Sequence, residues 1–264
     1  MESSNPVFKR GYAAMPNRAG GASQVIIDHD ALESAYQAPA ASAVRTGRMT
    51  MDDVVIRTGA LFVVLLAAGA WAWRSNYGAP LVTPAILLAF VIGLINSFSS
   101  KVRPPLAFAY AAVEGFALGI ISHVYNTVYQ GIVAQAIIGT IAAFAGVLFL
   151  YKSGRVRVTP RFTRVLTGAL IGYFLLGLVS IFMGMAGVGK GYGLYGVSGL
   201  GLLLCVAGVA IASFFLILDF DQIQKMINAG APHQEAWRAG FGLMVTIIWL
   251  YMEILRLLSI LRDR

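Results

Sequence analysis

Two stretches near the end of the chain limit what it can become. Residues 194–218, LYGVSGLGLLLCVAGVAIASFFLIL, and 240–261, GFGLMVTIIWLYMEILRLLSIL, are each long and apolar enough to cross a bilayer, which takes roughly 20 residues per helix. Yet the first runs directly into Asp219 and Asp221, and the second contains Glu253 and Arg256. A charged side chain at bilayer depth costs about 2.5–3.5 kcal/mol on insertion scales unless it is paired, hydrated or neutralised. The remainder of the chain reads as a scaffold that holds this expensive hairpin.

Composition agrees with a membrane chain. Only 12% of the 264 residues are charged and 58% are hydrophobic, whereas a soluble domain is about one quarter charged. A basic stretch followed by a short apolar run and a small-residue cleavage site is missing near the start, so no cleavable signal peptide is expected. The single cysteine, Cys205, lies in an apolar run, which leaves no disulfide framework and no cysteine metal cluster.

Residues 1–54 are polar and mixed, rich in Gly, Pro, Ser and Ala, and read as a mobile tail with a short helix over 30–36 or a segment that orders on a partner. Residues 55–264 read as a seven-helix transmembrane domain. Its apolar segments fall at about 58–73, 79–98, 105–125, 130–151, 163–186, 194–218 and 240–261. Trp71 and Trp73 suit an interfacial belt. Gly115 with Gly119, and Gly168 with Gly172, are spaced for close helix approach.

The basic residues set the expected orientation. Fifteen fall on the side of the N-terminus and only five on the other. The N-terminus is therefore expected to be cytoplasmic and the C-terminus outside, in a multi-pass cell-membrane protein. The net charge of +8 follows from this loop bias, so no nucleic-acid partner is expected and the lipid bilayer is the expected surroundings.

Five ionisable residues fall at membrane depth: Glu114, Asp219, Asp221, Glu253 and Arg256. Plain structural roles exist for each. Glu253 and Arg256 stand at i,i+3 and can pair locally. Asp219 and Asp221 can end a helix at the interface. Glu114 can glue helices through a hydrogen bond, and His123 suits a structural place near the outer end of its span. The functional alternative is a polar pathway in which carboxylates of different helices share protons or hold a hard cation such as Ca²⁺. No HExxH, GxSxG or Walker lysine motif is present, and His29, His123 and His233 are scattered. The chain is thus not expected to be an enzyme or to carry a cofactor; Ca²⁺ enters only as a transported or bound ion.

Several motifs fall in order on this frame: SNPVF at 4–8, YAAVEGFALG at 110–119, AGVLFLYKSGRVRVT at 145–159, LILDFDQI at 216–223 and WLYMEILRLLSIL at 249–261. The set resembles the Bax inhibitor or YccA-like membrane proteins, in a bacterial branch that opens with SNPVF. The resemblance implies an all-α membrane fold with six helices around a central seventh. It also implies a pH-sensitive Ca²⁺ leak latched by an aspartate pair from the sixth and seventh helices. Here the sixth-helix member would be Asp219 or Asp221, and Glu253 stands where relatives have Asp. The resemblance thus implies Asp219 and Glu253 as candidate Ca²⁺ ligands, but a turn near residues 230–232 would put them about 15 Å apart in level, which makes Glu114 the better partner for one of the aspartates. The resemblance further implies an alternative, a non-conducting regulator of a membrane-anchored protease or stress response, reached through the N-terminal tail.

Overall fold

The computed structural model describes residues 47–75, 79–99, 102–156, 158–191, 193–196 and 198–263. The SNPVF motif, the helix expected over 30–36 and most of the polar tail lie outside the described residues.

Each of the seven apolar segments becomes an α-helix: α1 Met51–Arg74, α2 Val82–Phe98, α3 Pro104–Val128, α4 Ile132–Lys152, α5 Pro160–Met185, α6 Ser198–Asn228 and α7 Glu235–Arg262. Short 3₁₀ turns precede α2 (Ala79–Leu81) and bridge α5 to α6 (Val188–Gly191 and Gly193–Gly196). Among the described residues, six of these helices have the length and apolarity to cross a membrane, and α2 is a shorter apolar helix of 17 residues. The chain is an all-α, multi-pass membrane protein.

Local chemistry explains where the helices begin. α1 starts at Met51, seven residues before the apolar run, because Thr50 caps it. The Thr50 hydroxyl accepts from the Asp53 N–H (3.2 Å), and the Asp53 carboxylate accepts from the Thr50 N–H (3.0 Å). This capping box satisfies donors that a helix start leaves open. α3 and α5 open on prolines, whose missing N–H costs nothing in a first turn. The α6–α7 turn closes at Gly230, which adopts a left-handed φ of 69°. The Ala231 N–H then bonds back to the Met226 carbonyl at 3.0 Å, a glycine-ended helix stop.

α7 occupies the centre. α1, α3, α4 and α6 pack directly on it, α2 stands outside α3, and α5 packs on α6 and the two 3₁₀ turns. α7 serves two apolar cores. Leu243, Leu250, Ile254 and Leu255 meet α4 and α6 in one, around Ala136, Ala212, Leu216 and Phe220. Phe241, Met244 and Ile248 meet α1, α2 and α3 in the other.

Glycine decides the closest crossing. A Cβ on Gly115 would strike the Leu65 carbonyl, and one on Gly119 would strike that of Gly69, so α1 and α3 touch backbone to backbone. The second glycine pair behaves differently: a Cβ on Gly168 or Gly172 would meet nothing within 4 Å.

Candidate functional site

Glu253 sits in the last third of α7 with only 3% of its surface exposed. Its carboxylate accepts from Trp249 Nε1 (3.2 Å) one turn earlier and from Arg256 Nη1 (3.2 and 3.3 Å) less than one turn later. The i,i+3 spacing thus yields a local ion pair. A third donor arrives from α5, where the Tyr173 hydroxyl bonds to the same carboxylate. Tyr173 in turn accepts from the Tyr195 hydroxyl at 3.0 Å. The Tyr195 ring lies 4.5 Å from the Arg256 guanidinium, a cation–π contact. Burial raises the Tyr195 phenol above its ordinary range, so at neutral pH it keeps the proton it donates.

This meeting of three helices depends on one glycine of α6. A Cβ on Gly208 would stand 2.6 Å from Glu253 Oε2 and would also strike the Tyr173 hydroxyl. The cluster forms one wall of a cavity of about 1370 Å³ between α3, α5 and α7, with Tyr125, Tyr173, Tyr195, Trp249 and Arg256 on its lining.

Asp219 lies at another level of the same hairpin. On α6 it faces Thr246 of α7, which hydrogen-bonds to its carboxylate. Its Oδ2 is buried and has no hydrogen-bond partner among the described residues, a condition that costs about 1–3 kcal/mol. Thr246 is seven residues from Glu253, and Asp219 is eleven from Gly208, the residue that faces Glu253. At 1.5 Å per residue the two carboxylates are about 10–16 Å apart along the bundle. Ala212, Leu216 and Leu250, all fully buried in one apolar cluster, lie in the hairpin core between those levels.

The other candidates lie apart from this axis. Asp221 turns outward and pairs with Lys225 at 2.6 Å, one turn on. Glu114 is half-buried on α3, one turn from Tyr110, in the α1–α3 half of the bundle. His123 packs edge-on against Trp73, with ring centroids 5.2 Å apart. Among the described residues no group of three or more His, Cys, Asp or Glu side chains could hold a metal ion. Standing at different levels, Asp219 and Glu253 do not meet as a joint ligand set here.

Sequence reasoning missed Tyr173, Tyr195 and Gly208, because nothing in the order of residues links α5, the 3₁₀ turn and α6 to Glu253. It also gave Arg57 no packed role. In fact Arg57 is on α1 and 7% exposed. It donates to the His233 carbonyl and to the His233 ring, and lies over the Trp237 ring at 5.3 Å. His233 also approaches Asp53 at 3.2 Å. Beside them residues 47–49 pair with the α6–α7 turn: the Met49 N–H donates to Ala231 (2.8 Å) and the His233 N–H to Gly47 (2.9 Å).

A search of curated proteins finds no match to the chain. A sequence profile of the family described as Bax inhibitor 1 like matches residues 5–263. That match spans nearly the whole chain, so the chain belongs to the Bax inhibitor 1 like family.

Proposed function

We propose that this chain is a pH-sensitive cation leak, with Ca²⁺ the leading transported ion, and that Glu253 and Asp219 are successive stations along the α6–α7 hairpin. The observation that carries the reading is Asp219 Oδ2, a carboxylate oxygen buried at membrane depth with no hydrogen-bond partner among the described residues. Ionisable groups kept at such depth in the face of their cost mark ion or proton routes, and a free hard oxygen suits Ca²⁺. The wide cavity reaches the Glu253 cluster from one face of the bundle, and Asp219 stands about 10–16 Å further on. In this conformation Arg256 already neutralises Glu253 and the apolar residues between the stations close the route. Opening then requires α6 and α7 to shift, and a change in the protonation of the two carboxylates supplies the bias. Asp221, paired outside the axis, and Glu114, in the other half of the bundle, tune the field rather than bind the ion. The basic face, with the N-terminus, lies in the cytoplasm of a cell membrane. The reading requires no catalytic chemistry and no resident cofactor.

The test is Ca²⁺ entry into dye-loaded proteoliposomes at pH 6, 7 and 8, for wild type, Asp219→Asn and Glu253→Gln. A leak that varies with pH and is altered by either change is expected. Folded protein that passes no Ca²⁺ at any pH overturns the reading, as does pH dependence unchanged in both variants.

A further inference from the structure

The cavity that reaches Glu253 is too large and too apolar for an ion alone. α3 and α5 do not pack on one another, and the slot between them is rimmed by exposed apolar side chains, including Val124 of α3 and Phe174 and Ile181 of α5. Such residues at bilayer depth open a cavity sideways to lipid rather than to water. Its volume of about 1370 Å³ exceeds the usual range of about 300–1,000 Å³ for small-molecule pockets. Among its described lining residues stands one cation with spare capacity. Arg256 uses Nη1 for Glu253; among the described residues no hydrogen bond is made by its Nη2 or Nε. Its side chain is 30% exposed although one face is covered by Tyr195. A guanidinium has five donors in a planar fork that matches phosphate oxygens.

Depth agrees with a headgroup ligand. α7 has 28 residues, about 42 Å, against a hydrocarbon thickness of about 30 Å, so a centred helix overhangs by about 6 Å at each end. Arg256 is six residues from Arg262, the last residue of α7, about 9 Å, which puts its Cα about 3 Å inside the hydrocarbon boundary, within reach of a phosphate by its own stem. We infer that the slot between α3 and α5 is a binding site for an anionic phospholipid of the surrounding bilayer. Its phosphodiester is held by the free edge of Arg256 and its acyl chains lie along the apolar rims. This holds whether or not the chain conducts cations.

Trp249 lines the same cavity and reports on it. In protein carrying Trp71→Phe, Trp73→Phe and Trp237→Phe, its fluorescence is followed in phosphatidylcholine nanodiscs doped with acyl-brominated phosphatidylglycerol or, in parallel, acyl-brominated phosphatidylcholine. Half-quenching is expected at about a tenfold lower fraction of the brominated phosphatidylglycerol, the ratio that one charge-assisted hydrogen bond supplies. Arg256→Gln should remove that preference. Because this change strips Glu253 of its partner, Gly177→Phe provides a second test: Gly177 lines the cavity and a Cβ there meets nothing within 4 Å. The phenyl group should block the slot and reduce quenching by both lipids. Equal quenching by the two lipids overturns the proposal, as does a preference that survives Gly177→Phe. Loss of quenching on adding inorganic phosphate overturns the lipid assignment in favour of a free oxyanion.

Discussion

At the residue scale, the two carboxylates should respond to neutralisation to different degrees. Glu253 has donors on three sides and holds Arg256 in place. Among the described residues Asp219 has one partner and one bare oxygen. Glu253→Gln should therefore lower stability by about 1–3 kcal/mol, the cost of leaving a charged donor short of its acceptor. Asp219→Asn should change it by less than about 1 kcal/mol, since it gives up little. Thermal unfolding in detergent separates the two, and a larger loss for Asp219→Asn would contradict the geometry. Gly208→Ala should cost about 1–3 kcal/mol through overpacking, read from the same melts, because its methyl enters the space of the Glu253 carboxylate. The sequence exposed Glu253, Arg256 and Asp219 through their charge in apolar runs. It also placed the aspartate and the glutamate at different levels, because counting residues from a glycine-proline turn is arithmetic. Tyr173 and Tyr195 stayed hidden, since a tyrosine in an apolar helix costs little and signals nothing until its hydroxyl finds a partner.

At the element scale, the two GxxxG pairs look alike in sequence and differ in packing. Gly115→Leu or Gly119→Leu should separate α1 from α3 and prevent recovery of folded protein, because backbone atoms already occupy the space. Gly168→Leu or Gly172→Leu on α5 should leave melting within about 0.5 kcal/mol of wild type, as expected for substitutions that touch no packed feature. Size-exclusion profiles and melts of the four variants test this directly. The helices themselves were legible because each is a long apolar run ended by Gly, Pro or charge. Their starts were less so: α1 begins seven residues before its apolar run because a polar capping box, not hydrophobicity, sets that end. Which helix neighbours which was not legible, since small residues permit close approach without naming the partner.

At the scale of the whole molecule, the described cations collect on the face where α1 begins and the α6–α7 turn closes, including Arg48, Arg103, Lys152, Arg155, Arg161 and Arg238. With Cys205→Ala as background, a cysteine at Arg155 should react with an impermeant maleimide only from the cytoplasmic side. One at Gln130, on the opposite face, should react from outside. Labelling of intact cells against inverted vesicles decides the orientation, and the reverse pattern would reject the assignment.

The clasp between residues 47–57 and the α6–α7 turn gives this protein a schedule. Arg57 sits inside the first of the described helices, and its hydrogen-bond acceptors belong to His233, 176 positions later. At synthesis rates of about 5–20 residues per second, that helix waits about 9–35 s before its guanidinium can be satisfied. A ribosome that stalls before the last hairpin leaves an unpaired arginine in a membrane helix, a mark by which quality control can tell an unfinished chain from a finished one.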